Sequence, residues 1–229
     1  LNCLKNTEYI FVGSLLLFLL IAIFKNVIIG NDVFVSGDAL APQAFKQSIE
    51  NMKNSQYWFP YIFSGMPSMH SFIGTTELYL PNQLILFMKE LGMPWIWNFM
   101  FHYLFSGIGM YILLRYLNQN KFASFFGSSL FMICPYMVAY FVHGHGSQFM
   151  TAAYIPWIIM YLFRILRKNN LIDFSILSLL IGLQLQRGHI QIAYYTWMMI
   201  GLYFIVNFIL TIIKNKKIKI SNIVKKYSF

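Results

Sequence analysis

The stretch Ile190–Ile213, IQIAYYTWMMIGLYFIVNFILTII, runs without a single charged side chain and is followed by six lysines, Lys214, Lys216, Lys217, Lys219, Lys225 and Lys226. A bilayer core takes about 20 mostly apolar residues to cross as a helix, so this segment reads as a transmembrane span with a basic flank. Five more stretches read the same way: Tyr9–Ile29, Pro94–Leu117, Phe122–Val142, Phe149–Arg164 and Leu171–Leu185. Hydrophobic residues make up 58% of the chain and charged residues only 10%, against about 25% charged in soluble domains. The expected fold is therefore all-α: a polytopic membrane protein of about six transmembrane helices.

Charge distribution sets the expected orientation. With the N-terminus inside, the cytoplasmic side receives Lys5, Arg115, Lys121, Arg164, Arg167, Lys168 and the six tail lysines, against Glu8 and Asp173. The outer side receives Lys25, Lys46, Lys53, Lys89 and Arg187, balanced by Asp32, Asp38, Glu50, Glu77 and Glu90. The whole net charge of +10 thus falls on the inner side, as the positive-inside rule requires. Basic residues spread beside apolar runs in this way point to membrane topology, not to nucleic acid. The first span has no small-residue cleavage site after its core and reads as a retained signal anchor. The chain begins at Leu1 and ends at Phe229 without an evident terminus, so it is expected to be a single N-terminal transmembrane domain, 1–229, of a longer protein.

The long first outer loop, about residues 30–93, carries its own patterns. Phe45, Ile49 and Met52 recur at helical spacing in Ala41–Asn54, with Lys46, Glu50 and Lys53 opposite, which predicts a helix lying on the membrane surface. Pro60, Gly65 and Pro67 predict an ordered turn over Trp58–Met69, and Glu77–Leu91 reads as a second interfacial or re-entrant helix.

A glycine–histidine pair followed shortly by glutamine occurs twice, in Gly144-His145-Gly146-Ser147-Gln148 after His143 and in Gly188-His189-Ile190-Gln191 after Arg187. Both interrupt apolar runs, and both fall on the expected outer face. Ionisable groups at membrane depth are functional candidates by default. Arg187 has a planar fork that matches phosphate oxygens, although snorkelling to lipid phosphate would also satisfy it. His143, His145, His189, Gln148 and Gln191 are candidate substrate-binding groups. A His-x-His pair is weak ground for zinc, whose structural sites take four ligands. No metal site and no cofactor is expected, a divalent cation being conceivable but unsupported. Asp38 has two readings, a general base or a cap on the Ala41–Asn54 helix. The chain has no P-loop, G-x-S-x-G or H-E-x-x-H.

Taken in order, Ser36-Gly37-Asp38-Ala39-Leu40, Tyr57-Trp58-Phe59-Pro60 through Gly65-Met66-Pro67, Tyr79-Leu80-Pro81-Asn82, Gly107-Ile108-Gly109-Met110-Tyr111 with Arg115, the His143–Gln148 turn with Pro156-Trp157, and Gly188-His189-Ile190-Gln191 with Tyr194-Tyr195 resemble the YfhO-type bacterial membrane proteins. These belong with the GT-C glycosyltransferases. The resemblance implies an inverting transferase in the bacterial inner membrane. It would take a sugar from a polyprenyl-phosphate carrier at the extracytoplasmic face and pass it to a glycan or surface-polymer acceptor. It also implies a catalytic acid in the first outer loop, which carries over to Asp38. Asp38 lacks an acidic neighbour, unlike family members with paired acids. Two other classes fit less well. A lipid-carrier transporter or flippase would want polar residues continuing through the membrane, and the mid-span positions are mostly Leu, Ile, Phe and Met. A non-catalytic scaffold in surface-polymer assembly would not need Asp38, His145, Arg187 and His189 to converge.

Overall fold

A computed structural model describes residues 2–30, 32, 58–59, 64, 66–67, 79–94 and 96–214. The expected Ala41–Asn54 helix and Asp38 lie outside these residues. The architecture is all-α. Among the described residues ten helices run: α1 (Asn2–Ile23), α2 (Lys25–Ile28), α3 (Leu80–Glu90), α4 (Trp97–Tyr116), α5 (Lys121–Met132), α6 (Pro135–Val142), α7 (Gly146–Ala152), α8 (Ile155–Lys168), α9 (Leu171–Gln186) and α10 (Ile190–Lys214). In the first loop, Trp58–Phe59 pairs antiparallel with Met66–Pro67, consistent with the turn expected there.

The apolar stretches became helices, with interruptions where the backbone chemistry demands them. Pro135 opens α6. Lacking an N–H, and with its ring crowding the preceding turn, it separates α5 from α6 inside the expected Phe122–Val142 span. Pro156 sits in the first turn of α8, and the helical path of the next span breaks just before it, between α7 and α8. Even so, Lys121–Val142, Gly146–Lys168 and Ile190–Ile213 are each long and apolar enough to cross a membrane, and Thr7–Ile23 and Leu171–Gln186 are shorter apolar helices. Helix α4 is long enough at 20 residues but carries Asn98, His102, Ser106 and Arg115.

The chain forms two compact units, Leu1–Ile190 and Gln191–Phe229. The second contains α10, whose apolar side chains are largely exposed. In the first unit α4 is central, packing on α1, α3, α5, α7 and α8. Close approach is possible because a Cβ on Gly109 would lie 2.3 Å from Nε1 of Trp157. That indole instead donates to the Phe105 carbonyl at 2.9 Å. An aromatic cluster fills the interior: Tyr103 stacks on Phe149 at 4.2 Å between ring centroids, with Phe24 and Phe141 against Tyr103.

The two ends of the first unit differ chemically. At one end the acids are paired with bases. Glu8 accepts from Tyr111 at 2.8 Å and from Arg115 at 3.1 Å, while Lys121 lies 2.7 Å from its other oxygen. Arg164 meets the buried Asp173 at 2.8 Å, and Arg167 lies over the Tyr116 ring. These are the two acids and four of the bases assigned by sequence to the same side. The opposite end gathers tyrosine, histidine and one buried arginine.

Candidate functional site

Both glycine–histidine turns are helix stops. Val142 ends α6, and Gly144 follows with φ +86°. The Gly144 N–H donates to Phe141 O at 3.1 Å and the His145 N–H to Tyr140 O at 2.7 Å. This is the Schellman pattern of crossed bonds that satisfies the last carbonyls of a helix. Gly188 follows α9 with φ +80°, and its N–H makes one bond of that pattern, to Leu185 O at 3.0 Å. Only glycine takes such φ values without steric cost. The recurrence of glycine therefore has a conformational cause, and the chemistry rests on the neighbours.

Those neighbours separate. His143 is exposed, and its Nδ1–H donates back to Ala139 O at 2.8 Å within its own helix. His145 precedes α7, its ring 6.4 Å from that of Tyr140, and it lies close enough to oppose protonation of His189. The His-x-His pair thus divides, with His145 associated with the other turn. His189 is half-buried, and its Nδ1 has no hydrogen-bond partner among the described residues. Burial first, and the neighbouring His145 second, hold its pKa below the ordinary imidazole value. Gln148 also buries a side-chain oxygen without a hydrogen bond among the described residues. Gln191 stands in the second unit, where its amide donates to the Tyr195 hydroxyl at 2.7 Å.

Arg187 is 4% exposed. Its guanidinium lies 5.1 Å from the centre of the Tyr79 ring, a cation–π contact, and its Nε has no hydrogen-bond partner among the described residues. Burial pulls its pKa down, and the phenols of Tyr79 and Tyr154 oppose that shift. A buried guanidinium with an unused donor is poised for an anion.

Beside Arg187 stands a group of residues that sequence reasoning did not assign to the site. His102 is buried on α4, and its Nδ1–H donates to Asn98 O at 2.7 Å, since a carbonyl can only accept. In the neutral ring this leaves Nε2 as the acceptor. The Tyr79 O–H therefore donates to Nε2 at 2.8 Å, and the Tyr154 O–H donates to the Tyr79 oxygen. Burial pushes the Tyr79 phenol well above its ordinary range, which keeps it protonated as the donor. Asn98 and His102 stand one helical turn apart, and polar groups at that spacing within an apolar span were the available signal. Their partners Tyr79 and Tyr154 come from distant segments.

A cleft of about 520 Å³ opens against this chain of hydrogen bonds. Tyr79, His102 and Tyr154 form its polar part, and Leu84, Met88, Phe101, Phe105, Leu180 and Leu183 supply much of its apolar wall. Among the described residues, no three histidine, cysteine, aspartate or glutamate side chains cluster so as to hold a metal ion. No protein-family model, curated protein or solved structure matches the chain.

Proposed function

We propose that the chain is the transmembrane part of a glycosyltransferase. It would take a sugar from a polyprenyl-phosphate carrier at the outer face of a bacterial inner membrane and pass it to a cell-surface acceptor. The observation that carries this reading is the buried Arg187, held on the Tyr79 ring with Nε unused, at the end of the unit opposite the paired acids and bases. In this reading the base-rich end is cytoplasmic and the Arg187 end faces outward.

The mechanism follows from the charges that develop. Asp38 takes the proton of an acceptor hydroxyl as its oxygen attacks the anomeric carbon. The bond from that carbon to the carrier phosphate breaks on the opposite face, inverting the configuration. The departing phosphate gains negative charge, which Arg187 stabilises with His145 and His189, and His143 at the rim. Fixed donors aimed at developing charge are usually the largest catalytic contribution. Gln148 orients sugar hydroxyls. Since the phosphate leaves readily as an anion, no general acid is needed.

The test is incorporation of radiolabelled sugar into surface polymer by cells with and without the gene, complemented by the native chain or by Asp38→Asn. The reading expects membrane insertion of the variant without transfer. Native transfer by Asp38→Asn would remove that residue from the chemistry.

A further inference from the structure

We infer that the cleft between α3, α4 and α9 binds a long-chain lipid through a neutral hydroxyl group, which donates its hydrogen to the Tyr154 oxygen. The direction of the hydrogen bonds in the cleft is the ground for this choice. The Asn98 carbonyl fixes the His102 tautomer, His102 fixes Tyr79 as donor, and Tyr79 fixes Tyr154 as donor to it. Every O–H and N–H of the chain is then spent inside it. What remains at the cleft is acceptor capacity, above all the lone pairs of the Tyr154 oxygen. A phosphate or carboxylate brings only acceptors and would meet a wall with no donor to offer. An alcohol brings the donor that is missing.

The rest of the cleft sets the remainder of the ligand. Its wall is apolar, from Leu84 and Met88 on α3 to Phe105 on α4 and Leu183 on α9. Its volume of about 520 Å³ falls within the roughly 300–1,000 Å³ typical of small-molecule sites. The site therefore keeps a division of labour: anions belong to Arg187, and the cleft takes an uncharged alcohol on an aliphatic chain. The binding itself is measured without any transfer.

The test uses the chain in phosphatidylcholine nanodiscs with a diazirine-bearing hexadecanol as photoaffinity probe. Labelled peptides are expected to contain the α3, α4 and α9 residues of the cleft. Excess 1-hexadecanol should displace the probe at least about fivefold better than hexadecane or hexadecyl phosphate, the factor set by one net hydrogen bond. Tyr154→Phe keeps the ring and should erase the preference for alcohol over alkane. Leu84→Trp, at an exposed position on the cleft wall, should abolish labelling by filling the space. Hexadecyl phosphate competing as well as the alcohol would overturn the inference, as would hexadecane doing so. Labelling elsewhere, or labelling unaffected by Leu84→Trp, would overturn the location.

Discussion

The Tyr79 hydroxyl donates a 2.8 Å hydrogen bond to Nε2 of His102, joining the residue just before α3 to the buried face of α4. Because the far nitrogen of the same ring is held by Asn98 O, the bond has a fixed direction. Tyr79 thereby becomes the link between His102, Tyr154 and the guanidinium above its ring.

Tyr79→Phe should leave the cation–π contact and remove that link. Nε2 of His102 would then be a buried acceptor without a partner, which costs about 1–3 kcal/mol. Unfolding of the purified chain in mild detergent should show this loss. A double-mutant cycle with Tyr154→Phe should give a coupling of about 0.5 kcal/mol or more, because both changes break one chain of bonds. Additive losses would mean that the two phenols act separately.

Gly109→Val tests the packing of α4 on α8. With a Cβ 2.3 Å from the Trp157 indole nitrogen, the helices must separate or the indole must leave Phe105 O. Overpacking of this kind typically costs about 1–3 kcal/mol. The expected readout is a lower unfolding midpoint together with a shift in tryptophan fluorescence.

Glu8→Gln probes the opposite end. The carboxylate ties α1 to α4 and α5 through Tyr111, Arg115 and Lys121. Two of its partners are largely sheltered, while Lys121 is mostly exposed and contributes little. A loss of about 1–2 kcal/mol is expected, on the scale of one charge-assisted hydrogen bond. Lys121→Ala should cost far less, and equal losses would contradict this division.

His189 gives a pH dependence of known sign. Its folded pKa is depressed, by burial first and by His145 second. Above about pH 6.5, the ordinary imidazole value, the ring is neutral whether folded or unfolded, and no stability difference arises. As pH falls below that, the unfolded chain takes up the proton before the folded one, so stability drops. His189→Gln should flatten this acid limb without changing stability at pH 8. An unchanged limb would assign the acid sensitivity to another group.

Much of the architecture was legible because apolar length and basic flanks are properties of the chain itself. The six apolar stretches and the membership of the Glu8–Arg115–Lys121 and Arg164–Asp173 groups on one side follow from that. The interruption at Pro135 was legible in principle, since proline removes a helical donor, but an unbroken apolar run concealed it. The site was only partly legible. Arg187 and His189 announced themselves as ionisable groups in an apolar setting. The separation of His143 from His145 depends on how far α6 extends before Gly144 turns the chain, which two adjacent-looking imidazoles do not reveal. Tyr79, His102 and Tyr154 meet through the register of three elements, and a tyrosine in a chain rich in aromatics carries no mark of its partner.

The central claim is that Arg187 receives the phosphate from which the sugar departs. Its most direct test is the rate of sugar transfer by membrane vesicles carrying native chain, Arg187→Lys or Arg187→Gln at equal insertion, with the labelled carrier lipid supplied. Loss of a fixed donor to developing charge costs about 10²–10³ in rate. Arg187→Gln should therefore fall by that order, and Arg187→Lys, which keeps charge but not the planar fork, should fall less. Transfer at the native rate by Arg187→Gln would contradict the account.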